Sequence, residues 1–143
     1  MSTGPDRPGI RGILETSLYV DDIDRSSRFY KPLFGCVELV RDDRLCALSM
    51  GDQQVLLLFR KGASKRPGVT PGGTIPPHDG QGDLHMAIAI SGEDIEAWLL
   101  KLDSLGIPLE SRVHWPRGGT SLYFRDPDNH SIELATPGTW EVY

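Results

Sequence analysis

The chain has 143 residues, with 15 Lys and Arg against 20 Asp and Glu and a net charge of −5. That length suits one domain with a sizeable core, or two small modules sharing one. The acidic balance, with no basic cluster beyond Lys61, Lys65 and Arg66, argues against nucleic acid or an anionic membrane as partner.

No apolar run approaches the roughly 18 residues of a membrane span. The stretch MSTGPDRPGIRG lacks the apolar core of a signal peptide, and two cysteines, Cys36 and Cys46, are too few for a disulfide scaffold. The expectation is a soluble cytoplasmic protein.

In chain order, ILETSLYV (13–20) alternates. Ile13, Glu15, Ser17 and Tyr19 fall on one face, Leu14, Thr16, Leu18 and Val20 on the other. A helix is predicted from about Asp22, with acidic residues in its first turn and a stripe of Ile23, Ser27, Tyr30 and Phe34. Pro32 is expected to distort its end and Gly35 to close it. CVELV, RLCALSM and QQVLLLF read as strands, the last two joined by a hairpin at Gly51-Asp52. Cys46 shares a face with Leu48 and reads as a small core hydrophobe.

Residues 61–83 hold six Gly and four Pro, which excludes a helix or central strand and predicts a long, mobile connection able to cover a cleft mouth. The pattern then restarts. LHMAIAI sets His85, Ala87 and Ala89 against Met86, Ile88 and Ile90. Ser91 and Asp94 suggest a capping box, and Ile95, Trp98, Leu99, Leu102 and Leu105 give an amphipathic helix that Gly106 and Pro108 stop. Strands near ESRVHW, TSLYFRD and HSIELAT complete the set.

The order strand, helix, three strands thus occurs twice, with an offset of 70 positions between Glu15 and His85. We read one domain over residues 1–143: a first module at about 11–60, the connection 61–83, and a second module at about 84–138. The fold class is α+β, with two βαβββ modules forming an open, curved mixed sheet around a shared cleft. The repeat register places Leu57 at the position of Glu133.

Glu15, His85 and Glu133 then occupy cleft-facing positions. One imidazole and two carboxylates form a plausible divalent-metal set, and small neighbours leave room for a ligand. Glu133 is the most telling of the three. In HSIELAT, His130, Ile132 and Leu134 share the packed face, so Glu133 points away from it. His130 reads as a turn residue. Ser17, Tyr19, Leu57, Ala87, Ser121 and Arg125 are candidate cleft residues. Tyr19, Tyr123 and Trp115 read equally as structural filling, and Arg117 reads more as a solvated loop charge than as an anion contact.

The segments ETSLYVDDIDRSSRFYKPLFG, LHMAIAI and GGTSLYFRDPDNHSIELATPG resemble the vicinal oxygen chelate superfamily. That superfamily includes glyoxalase I, methylmalonyl-CoA epimerase, fosfomycin-resistance enzymes, extradiol dioxygenases and bleomycin-resistance proteins. The resemblance implies metal ligands at Glu15, His85 and Glu133, with two departures: Glu stands where the family usually has His at position 15, and Leu57 stands where glyoxalase I and the epimerase carry a fourth ligand. It also implies substrate contact at Tyr123, and a homodimer.

The function expected is a metal-dependent enzyme that binds adjacent oxygens of a small molecule and acts by Lewis-acid catalysis. The ion would be Fe, Mn, Zn or Mg, and Glu15 or Tyr123 would serve as general base. The alternatives are an extradiol-type dioxygenase and a metal-free, bleomycin-resistance-like binding protein.

Overall fold

A computed structural model describes residues 8–143. Its elements repeat. Strand β1 (Glu15–Val20) leads into helix α1 (Ile23–Phe34), followed by β2 (Glu38–Arg41), β3 (Leu45–Met50) and β4 (Gln54–Arg60). After the connection come β7 (His85–Ala89), helix α2 (Ile95–Ser104), β8 (Ser111–His114), β9 (Thr120–Arg125) and β10 (Ser131–Ala135). Each set forms a four-stranded mixed sheet, ordered β1-β4-β3-β2 and β7-β10-β9-β8. The fold is the tandem βαβββ arrangement that the sequence pattern predicts.

The repeat register holds strand by strand. Ser17 pairs with Leu57 in the parallel β1–β4 ladder, and Ala87 pairs with Glu133 in the parallel β7–β10 ladder. Leu57 and Glu133 are therefore structural equivalents.

Helix α1 forms where expected. Asp22 caps it by accepting the Arg25 amide, and Gly35 ends it in the left-handed conformation. Pro32 sits inside the helix, which continues to Phe34. At the other helix Ser91 caps a 3-10 turn at Gly92–Asp94, and Asp94 makes no side-chain cap of its own, so the expected capping box is split between two short elements.

The inward faces of both modules merge into one core. Leu18, Val20, Tyr30, Leu33, Leu56 and Leu58 from the first pack in the same cluster as Met86, Phe124, Ile132 and Leu134 from the second. Cys46 is fully buried in it.

The DPDNH turn between β9 and β10 fastens the modules together. Asp126 accepts a 2.6 Å bond from the Tyr30 hydroxyl. Asp128 accepts from the Asp21 amide, the Arg25 guanidinium and the Ser26 hydroxyl. His130 is fully buried rather than a simple turn residue. Its Nδ1 accepts the Leu84 amide at 3.0 Å, which leaves the proton on Nε2, 2.9 Å from the Tyr19 carbonyl.

The connection is more ordered than its composition suggests. Strands β5 (Gly68–Thr70) and β6 (Gly73–Ile75) form a two-stranded hairpin. Residues 76–80 dock on the first module. The His78 amide donates to the Ser64 carbonyl, the Tyr19 hydroxyl lies 2.7 Å from His78 Nδ1, and the Tyr19 ring stands so close to Gly80 that a Cβ there would meet it at 2.4 Å. These contacts tie the end of the connection to β1 through Tyr19. Among the described residues no helix is long and apolar enough to cross a membrane.

Candidate functional site

His85 opens β7 and Glu133 lies in the middle of β10, on the face of the second sheet that turns away from Met86, Ile132 and Leu134. The ladder sets Ser131 opposite His85 and Ala87 opposite Glu133. His85 and Glu133 are thus diagonal neighbours, and His85 Nε2 lies 3.2 Å from Glu133 Oε1.

The other imidazole nitrogen, Nδ1, lies 2.9 Å from the Ser131 carbonyl oxygen. A carbonyl only accepts, so geometry assigns a proton to Nδ1 and turns Nε2 toward the carboxylate. Two acceptors 3.2 Å apart attract only when a proton or a metal cation joins them. Fixing one ring nitrogen on a backbone carbonyl is how metal-binding histidines are commonly oriented.

Glu133 is only 7% exposed, and its second oxygen is engaged. The Ser121 hydroxyl lies 2.5 Å from Oε2, and the Trp115 indole N–H donates to the same hydroxyl at 2.8 Å. Tyr123 pairs with Glu133 across β9–β10 and stacks on the His85 ring. Burial, then the charge of Glu133, raises the Tyr123 phenol above its usual pKa. Beside this group opens a cavity of about 530 Å³, lined by Trp115, Arg117, Tyr123, Glu133, Thr139, Trp140 and Glu141. Sequence reasoning missed the C-terminal wall of that cavity; Arg117 is exposed, as a loop charge would be, and also lines the opening. The neighbouring glycines 118 and 119, which turn the loop back, were the available signal.

The other predicted residues lie elsewhere. Glu15, exposed at the start of β1, shares a sheet face with half-buried Ser17, Tyr19 and Leu57. Among the described residues no three His, Cys, Asp or Glu side chains gather closely enough to hold an ion. One chain therefore brings His85 and Glu133 together and leaves Glu15 apart. Ala87 lies open on the His85 face, and Ser121 is fully buried in the Glu133 network. Arg125 is held by Glu110 at 3.1 Å and by the Asn129 carbonyl, away from the cavity lining. At the far end of the Glu15 face, Tyr19 stacks on Phe59, and the edge of His78 meets Phe59 with centroids 4.5 Å apart.

The model of the Glyoxalase/Bleomycin resistance protein/Dioxygenase superfamily matches residues 12–134. The chain is 30% identical over 129 residues to the metallothiol transferase FosB of Staphylococcus saprophyticus, covering 89% of this chain and 78% of that protein. It is 26% identical over 128 residues to the glutathione transferase FosA of Serratia marcescens, covering 87% and 80%. Among solved structures, a lactoylglutathione lyase from Agrobacterium tumefaciens superposes with a TM-score of 0.83 at 31% identity, over 92% of this chain and 98% of the other.

Proposed function

The chain belongs to the glyoxalase, bleomycin-resistance and dioxygenase superfamily, and we propose that it is a metal-dependent enzyme acting on a small, oxygen-rich substrate held beside Glu133. The observation that carries the reading is the 3.2 Å approach of His85 Nε2 and Glu133 Oε1. Their remaining polar atoms are already bonded, so Nε2 and Oε1 are left facing each other, close enough for one divalent cation to take both as ligands.

His85 and Glu133 fit a divalent ion as two of its protein ligands. Glu15, at the matching position of the other module, is the natural third donor, supplied by a second copy. In a closed two-fold dimer each copy would lend its Glu15 to the other's His85–Glu133 pair, making two equal sites. One nitrogen and two carboxylate donors suit Mn²⁺, Fe²⁺, Zn²⁺ or Mg²⁺. An ion bound there supplies Lewis-acid stabilisation of charge developing on a substrate oxygen.

The chain's own groups do the rest. Arg117 offers a cation to an anionic substituent, Trp115 and Trp140 wall the cavity, and the Tyr123 phenol, kept protonated, can donate to a substrate oxygen. The names of the FosB and FosA relatives favour a thiol as second substrate, adding to a small electrophile.

The test is titration of metal-free protein with Mn²⁺ and Zn²⁺, with sedimentation to follow assembly. The reading expects one ion per chain in a dimer, with binding lost in His85→Ala, followed by turnover assays on fosfomycin with a low-molecular-weight thiol. A parent protein that binds none of these ions would overturn it, and the aromatic cavity would then favour a metal-free binding protein.

A further inference from the structure

We propose that Ser121, held in turn by Trp115, is a positioning residue that reserves one oxygen of Glu133 and so presents the other alone to the metal. The inference rests on the metal-site reading above. Its direction follows from donor inventory. An indole N–H can only donate, so the Ser121 oxygen accepts from Trp115 and gives its single proton to Glu133 Oε2. The 2.5 Å separation is that of a hydroxyl on a charged carboxylate. Ser121 is fully buried and Glu133 nearly so, so water does not compete for Oε2. Oε1 is the oxygen that faces His85.

The first module supports the assignment by contrast. Ser121 pairs with Ala135 on β9–β10, and the equivalent pair on β3–β4 is Leu45 with Phe59. Where Leu57 replaces the carboxylate, Leu45 replaces the hydroxyl. The indole is fixed as well. The Trp115 amide donates to the Gly119 carbonyl at 2.8 Å, and Gly119 lies so tightly against the C-terminal segment that a Cβ there would come within 2.4 Å of the Thr139 nitrogen. The C-terminal segment therefore clamps the loop, the loop aims Trp115, and Trp115 orients Ser121.

The experiment uses the full chain, loaded with Mn²⁺ for affinity and Co²⁺ for its visible spectrum, with melting of the metal-free forms as the check on folding. Ser121→Ala should weaken Mn²⁺ by about 10–100-fold and change the Co²⁺ bands, because the freed oxygen can also reach the ion. Trp115→Phe should shift both in the same direction by less, and the double variant should be no weaker than Ser121→Ala alone. Unaltered affinity and spectrum in Ser121→Ala, with the parent binding metal, would overturn the inference. A parent that binds no metal would overturn the underlying reading instead. If Ser121→Ala does not fold, Trp115→Phe decides: weakened binding with a changed spectrum supports the proposal, and parental behaviour overturns it.

Discussion

Where β10 carries Glu133, β4 carries Leu57, and where β9 carries Ser121, β3 carries Leu45. The two modules share a strand order and a register, yet the second holds a hydrogen-bonded set of donors and the first holds an apolar floor with one exposed acid, Glu15, at its edge. At the far end of that floor Tyr19, Phe59 and His78 form an aromatic wall, while the equivalent positions of the second module, Ala89 and Ala135, are small. A duplicated scaffold fixes where side chains can stand and leaves their chemistry free to diverge. One half carries the bonded His85, Ser121 and Glu133 set, and the other carries Leu45 and Leu57 at the positions of the last two.

The sharpest way to break this comparison is to alter the two equivalent positions. Glu133→Gln should weaken Mn²⁺ binding at least about 100-fold, since losing a ligand exceeds the loss of an outer-shell partner. Leu57→Ala should leave affinity within about twofold and cost about 1–2 kcal/mol of stability as partly buried apolar area is lost. Calorimetric titration and urea unfolding check both.

The next largest effect lies at the bond tying the halves together. Tyr30→Phe should cost about 1.5–3 kcal/mol, because Asp126 loses a buried donor. Burial first, then the Asp126 charge, holds the Tyr30 phenol well above its usual value of 10.0. A folded-state pKa raised above the unfolded one gives stability that is constant below about pH 10 and lost as pH climbs toward the folded value. Urea midpoints between pH 7 and 11 should fall for the parent at the alkaline end and fall less for Tyr30→Phe.

Leu57→Glu would give the first module an acid at the equivalent place. If the site joins two copies, Mn²⁺ binding should tighten by about tenfold as a further oxygen donor becomes available, measured on the dimer. The smallest effect is expected at Arg125. Its ion pair with Glu110 is partly exposed on both sides, so Arg125→Ala should cost under about 1 kcal/mol and leave the substrate KM unchanged.

Much of this arrangement was legible from periodicity. Alternation in HSIELAT points Glu133 away from Ile132 and Leu134, and the repeat offset matches it to Leu57. The role of His130 was not legible. The same alternation placed it with Ile132 and Leu134 on the packed face, but its partners are the Leu84 amide and the Tyr19 carbonyl, backbone atoms that no side-chain pattern records. The β5–β6 hairpin hid in a stretch whose Gly and Pro content reads as breakage, although Pro71, Gly72 and Gly73 are also what a tight turn requires. The register of Glu15 was readable and the side chains it faces were not, because that depends on how the two sheets are set against each other.

The clasp made by Asp126 and Asp128 also sets an order in time. The bond from Tyr30 to Asp126 spans 96 residues, and that from the Asp21 amide to Asp128 spans 107. At a synthesis rate of roughly 5–20 residues per second, helix α1 leaves the ribosome about 5–20 seconds before the turn that fastens it. Through that interval Tyr30 and the apolar face of α1 have only half of their eventual core. A nascent chain stalled before residue 126 should therefore expose that face to chaperones, and emergence of the Asp126–His130 turn should end the exposure in one cooperative step.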